Sequence, residues 1–327
     1  MSTDSPLTAR AYCPDDKERW NSINKTARNG TFLLDRGFME YHADRFEDAS
    51  VVVEKSGKIV ALFPANRSDD QVISHGGLTY GGLISGSKLS GKNTLAAFMA
   101  IANLYRSDGV RRLIYKPVPS IYHRAPAEED SYALFRLGAR LFRRDLSATI
   151  ALDRRLPLST GRKSHYKKAR ECGLTLEETK DYAPFMAMVA ANLQRKYKTD
   201  PVHSAEEVAL LNQRFPKHVR LFAAYYNGDI VAGALIFETD RVAHAQYISC
   251  NDQGRELDAQ DFVVGALVDD VYSSKAYFDF GISTENGGHY LNEGLSHYKE
   301  SWGARGTLYD AFDWDLSQPP SVSEPEG

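Results

Sequence analysis

The polar and apolar positions sort the chain into short alternating runs and longer stretches of helical spacing. Alternation is clearest in Tyr277-Phe278-Asp279-Phe280, which turns side chains to each face in turn and predicts a strand ended by Gly281. Leu291, Leu295 and Tyr298 then recur at helical intervals before Gly303. Turn signals predict two hairpins, 51–55 with 58–66 around Ser56-Gly57 and 219–226 with 230–238 around Asn227-Gly228-Asp229. Further strands are expected over 112–117, 142–152, 174–178, 242–250 and 307–314. Helices are expected over 17–27, 37–45, 95–105, 130–138, 160–172, 184–197, 205–215 and 259–273.

Both halves repeat one order: helices, a hairpin, a loop, a helix, a strand, a helix, a strand. That order predicts an α/β chain built by internal duplication near Leu152. The expected domains are 1–152 and 153–316. Residues 317–327, SQPPSVSEPEG, are rich in Pro, Ser and Glu and read as a disordered tail.

Composition narrows the function. The 327 residues are 43% hydrophobic and 25% charged, as in a soluble globular protein with a sizeable core. A net charge of −3 argues against a general nucleic-acid binder. Cys13, Cys172 and Cys250 are far apart and odd in number, which fits buried thiols in a reducing cytoplasm better than a disulfide framework or a zinc site. No signal peptide or membrane span is expected, and a homo-oligomer is left open.

The closing segment, FDFG over 278–281 and then GLSHYKESWG over 294–303, resembles the last segment of acyltransferases with the GNAT fold. It is most similar to the two-domain FemAB-like branch. The basic tract GRKSHYKKARECGLTLEE, from Gly161, resembles the opening of the second domain in that branch. The resemblance implies tandem GNAT-like domains, each a mixed, largely antiparallel sheet flanked by helices. It implies an N-acyltransferase using acyl-coenzyme A as co-substrate. The long helical arm that peptidoglycan members use for aminoacyl-tRNA has no counterpart here. That points to relatives acting on an amino sugar carried on a nucleotide. The rival expectations are a FemAB-type aminoacyl-tRNA-dependent transferase and a binding protein with a decayed cleft.

Residue roles follow from the same resemblance. The strands over 242–250 and 277–281 are expected to part around the thioester, with Tyr247 and Ser249 among its contacts. Free backbone N–H groups there would stabilise the thioester oxygen as it becomes anionic. Gln253, Gly254 and Arg255, before the helix over 259–273, are candidates for the pyrophosphate, because a helix start offers free N–H groups. The same loop also reads as an ordinary surface turn with Asp258 as its cap. Asp279, Glu285 and His289 are candidates to take the proton from the acceptor amine. Tyr298 is a candidate to protonate the leaving thiolate, or else part of an apolar helix face. His75, among glycines, is a further candidate base, unless those glycines only shape turns. Tyr80, Arg162, Lys163, Lys167 and Asn286 are candidate substrate contacts, the cations through phosphate.

Overall fold

The computed structural model describes residues 5–86 and 88–319, so residues 320–327 of the expected tail lie outside the described part. The chain divides into two units. One holds Met1–Asp145, Gly287–His289 and Leu308–Gly327; the other holds Leu146–Asn286 and Tyr290–Thr307.

In the first unit, β1 (Leu7–Ala11), β2 (Val51–Lys55) and β3 (Lys58–Phe63) form an antiparallel sheet closed by the short strand Ile84–Ser85. The expected turn joins β2 to β3, with Ser56 and Gly57 both at positive φ. Next come β4 (Asn66–Ser68) and β5 (Gln71–Ile73), then α1 (Gly91–Ser107), β6 (Arg112–Tyr115) and α2 (Glu129–Arg136). The Ser90 hydroxyl caps α1 by accepting from Asn93 N. Phe98, Tyr115 and Trp314 pack into the core of this unit.

Strand β7 (Arg140–Ala151) leads the chain into the second unit. There α3 (Thr160–Glu171), β8 (Thr175–Thr179), α4 (Tyr182–Tyr197) and α5 (Ala205–Arg214) precede an antiparallel run of β9 (Val219–Tyr226), β10 (Asp229–Glu238) and β11 (Val242–Cys250). Then follow α6 (Asp252–Glu256), α7 (Ala259–Ala266), β12 (Tyr277–Ile282) and α8 (Glu293–Ser301). Strand β13 (Arg305–Asp315) leads back to the first unit. Phe278, Trp302, Val263 and Leu267 anchor the second core.

Two of the departures from the expected elements lie beside the site. Residues 252–256, expected as part of a loop, are helical, and Asn251 caps α6 by accepting from Gly254 N at 2.7 Å. The long helix over 259–273 is α7 followed by a wider π-type turn over Leu267–Val271.

Among the described residues, each unit contains one parallel strand pair. In the second, β11 and β12 pair at Val242↔Tyr277, Ala243↔Phe278 and His244↔Asp279. In the first, β5 and β6 pair at Gln71↔Arg112, Val72↔Leu113 and Ile73↔Ile114. A final strand completes each: β12 pairs on its other side with the end of β7, and β6 with the end of β13.

Candidate functional site

Pairing between β11 and β12 stops at His244↔Asp279, although both strands continue. Two local irregularities explain the parting. Against β10 the register of β11 jumps from Ala245↔Ile236 to Tyr247↔Leu235, leaving Gln246 as a bulge. On β12 the register against β7 shifts between Asp279 and Ile282, where Gly281 has φ +77°. Both strands carry an irregularity just beyond their last shared pair, and the gap past it, where they no longer pair, is the opening. Beyond it Ala245–Cys250 pair only with β10.

At the apex of the opening lies a row of polar side chains from three strands. Asp279 is fully buried and accepts from Ser147 Oγ at 2.7 Å and Thr149 Oγ1 at 2.9 Å. Its other oxygen lies 2.8 Å from His244 Nδ1. The row arises because His244, Asp279 and Thr149 are neighbours in register and so share a face of the sheet. The His244 side chain is 13% exposed. Lys299, buried on α8, donates to the carbonyls of Gly281 at 2.8 Å and Ile282 at 2.6 Å. Burial pushes its ammonium down to about 8, with Asp279 partly opposing.

A second cluster surrounds the start of α7. Arg162 pairs with Asp261, donates to Ser301 Oγ at 3.0 Å and lies 4.5 Å over the Tyr298 ring. Tyr298 donates to Asp261 Oδ1 at 3.3 Å. Burial and then Asp261 hold that phenol well above its ordinary range, and burial likewise raises Asp261. Arg162 and Asp261 border a cavity of about 310 Å³ together with Cys250, Gly254 and Arg255. His165, Asp258 and Asp261 bring three potential metal ligands within 4.8 Å. Lys168 and Arg162 already neutralise the two carboxylates, so the cluster is self-contained without an ion.

The structure redistributes the expected site residues. Asp279 is fully buried at the site, and beside it stands the partly exposed His244, which is absent from the sequence-based set. Glu285 and Asn286 are exposed, on or beside the two-residue hairpin Thr284–Glu285 and Tyr290–Leu291. His289 is exposed and groups with the first unit. Arg162 is committed to Asp261, whereas Lys163 and Lys167 are exposed on α3. Tyr247 meets His203 Nδ1 at 3.0 Å, and Ser249 accepts from Asn192 Nδ2 at 2.6 Å, so both side chains are engaged. Gln253, Gly254 and Arg255 lie in α6. There Arg255 is tied to Asp252 and to the Cys250 carbonyl, and a Cβ on Gly254 would collide with the Val231 carbonyl.

His75 and Tyr80 are buried in the first unit. His75 is 3% exposed, and burial followed by His42 pushes it down to about 3. Tyr80 is 2% exposed, donates to Thr31 Oγ1 at 3.2 Å and packs on Tyr122.

Comparisons with known proteins agree with this architecture. The family described as acetyltransferase (GNAT) domain matches residues 161–300. FemX is 11% identical with a TM-score of 0.67, over 95% of this chain and 98% of its own. The C-terminal domain (DUF2156) of a candidate lysylphosphatidylglycerol synthetase from Agrobacterium fabrum is 12% identical with a TM-score of 0.61, over 92% of each chain. A tandem GNAT protein from the clavulanic acid biosynthesis pathway is 11% identical with a TM-score of 0.52, over 95% of this chain and 98% of its own. No curated protein matches by sequence. Among the described residues, no helix is long and apolar enough to cross a membrane. The chain has the double GNAT fold, and its residues 161–300 match the acetyltransferase (GNAT) domain family.

Proposed function

We propose that the second unit transfers an acyl group from a thioester to an amine by direct attack, with acyl-coenzyme A as the donor. One observation carries the reading: β11 and β12 share only three residue pairs and then part, beside a buried polar row. Strand edges without a partner strand leave backbone N–H groups for a pantetheine arm and for the thioester oxygen. The cavity beside α7 is the place proposed for the diphosphate, with Arg162, His165 and Arg255 on its wall. Its near balance of Arg162 and Arg255 against Asp258 and Asp261 makes it a modest anion trap, so the arm has to supply much of the affinity. Tyr298 is proposed to return a proton to the leaving thiolate. The acceptor proposed is an amino sugar carried on a nucleotide, whose phosphates suit the exposed Lys163 and Lys167 of α3.

A second reading takes an aminoacyl ester on tRNA as donor. It is favoured by the exposed cations Lys163, Lys167 and Arg170, and by the likeness to a candidate lysylphosphatidylglycerol synthetase. A thiol-release assay of the full chain separates the two, using acyl-coenzyme A donors against nucleotide-linked amino sugars and other amines. Amine-dependent release of free thiol is expected. Consumption of aminoacyl-tRNA with no thiol release from any donor would overturn the first reading and install the second.

A further inference from the structure

The row at the apex of the opening contains more than is needed to hold three strands together. We propose that His244 is the group that takes the proton from the acceptor amine, and that Asp279 is its positioning residue. The inference rests on the acyl-transfer reading above and names the proton's destination within it.

Three geometric facts support it. First, His244 and Asp279 form the last residue pair before the strands part, so the imidazole stands at the threshold of the opening. Second, the two ring nitrogens have different surroundings. Nδ1 lies 2.8 Å from the Asp279 carboxylate, while Nε2 meets no hydrogen-bond partner among the described residues. A carboxylate accepts only, so Nδ1 carries a hydrogen, and in the neutral ring Nε2 then keeps its lone pair. Third, the ring reaches towards the far strand. A Cβ placed on Gly281 would come 3.5 Å from His244 Cε1, the atom between the two nitrogens. The absence of a side chain at Gly281, with its positive φ, leaves that edge uncovered.

The surroundings fix the pair. Ser147 and Thr149 hold one carboxylate oxygen of Asp279, leaving the other for His244. Lys299 adds a positive charge near Asp279, while its own hydrogen bonds go to the Gly281 and Ile282 carbonyls. A sealed acid that orients an imidazole and stabilises it once protonated is the division of labour seen in Ser-His-Asp sites. Here it serves an amine.

The step balances without further reactants. The amine nitrogen attacks the thioester carbonyl carbon, forming the C–N bond. The amine proton passes to His244 Nε2, the C–S bond breaks, and the thiolate departs to be protonated. The imidazolium then returns its proton to water. Products are an amide and a free thiol.

The test uses the full chain and two independent readouts. In the thiol-release assay, His244→Gln is expected to lower kcat by about 10²–10⁴-fold, with unchanged coenzyme A affinity and melting temperature. In His244→Ala, added imidazole is expected to restore part of the rate. Side-chain ¹⁵N NMR of the substrate-free protein is expected to show His244 as the Nδ1–H tautomer. Asp279→Asn is expected to mix the tautomers and to lower kcat with little change in KM. A wild-type rate in His244→Gln, or an Nε2–H tautomer in the wild type, overturns the proposal. If wild type releases no thiol from any donor, the acyl-transfer reading fails instead, and the tautomer result still reports on the pair.

Discussion

At the last residue pair of its parallel strands, the first unit places Ile73 beside Ile114, and the second places His244 beside Asp279. The frameworks otherwise correspond: a hairpin, a strand, a helix, a parallel partner, a helix and a final strand. What happens beyond that pair also differs. In the first unit the backbone closes the gap. Ser74 N donates to the Ile114 carbonyl at 2.8 Å, Lys116 N to Ser74 Oγ at 2.7 Å, and Gly81 N to the Lys116 carbonyl at 3.0 Å. The Gly-rich run Ser74–Leu83 is thus laid along the end of β6, and Leu83 N is held by the Tyr115 hydroxyl at 2.7 Å. Among the described residues of the second unit, no such segment follows β11. Instead, a lysine side chain caps the β12 carbonyls.

A lysine does similar work in both. Lys116 Nζ donates to the carbonyls of His75 at 2.8 Å and Leu78 at 2.5 Å, and burial pushes it down to about 8, as it does Lys299. The comparison separates scaffold from chemistry. The parallel pair and a carbonyl-capping lysine occur in both units; the opening and the acid–imidazole row occur in one.

The largest expected effect comes from removing the acid that distinguishes the second unit. Asp279→Ala leaves two hydroxyls and an imidazole without their acceptor, and is expected to cost about 3 kcal/mol in urea denaturation and to abolish measurable transfer. Ile114→Ala, at the matching position of the first unit, is expected to cost about 2–5 kcal/mol as a cavity while leaving coenzyme A affinity unchanged. Loss of coenzyme A binding in Ile114→Ala would break the distinction.

The two lysines give a pH signature. Each has a folded value of about 8 against a model-compound value of 10.5. The unfolded state therefore binds more protons between those values, and stability rises with pH across that window. The gain is complete above 10.5 and is lost as pH falls through 8. Lys116→Met and Lys299→Met are each expected to flatten that rise, by up to about 3 kcal/mol, in denaturation curves recorded from pH 7 to 10.5. An unchanged slope would contradict the burial of both ammonium groups.

Smaller still is Gly81→Ala. A Cβ there would strike the Ser74 carbonyl, and the strain is expected to cost about 1–3 kcal/mol, read as a lower melting temperature with transfer rates retained. The smallest is Lys163→Ala with Lys167→Ala. Both side chains are exposed, so stability should move by less than about 0.5 kcal/mol, while KM for a phosphate-bearing acceptor should rise.

Much of this scaffold could be read from local patterns. Ser56-Gly57 and Asn227-Gly228 mark the hairpins, and the alternation through Tyr277–Phe280 marks the strand beside the opening, because turn chemistry and period two are properties of neighbouring residues. The acid–imidazole row escaped that reading. His244 lies 35 residues before Asp279, and Thr149 lies 130 before it; only sheet register brings them together. A signal was present in the polar residue interrupting Val242-Ala243-His244-Ala245, which reads equally as a solvent-facing position. The helix α6 was missed because Gly254 looked like a loop residue. Its real constraint, close approach to Val231, is tertiary.

Amide hydrogen exchange of the full chain with and without coenzyme A tests the central claim most directly. The account predicts added protection in Ala245–Cys250, residues 280–282 and the start of α7, with none in Ser74–Leu83. Unchanged exchange along β11 and β12 at saturating coenzyme A, or protection confined to Ser74–Leu83, would contradict it.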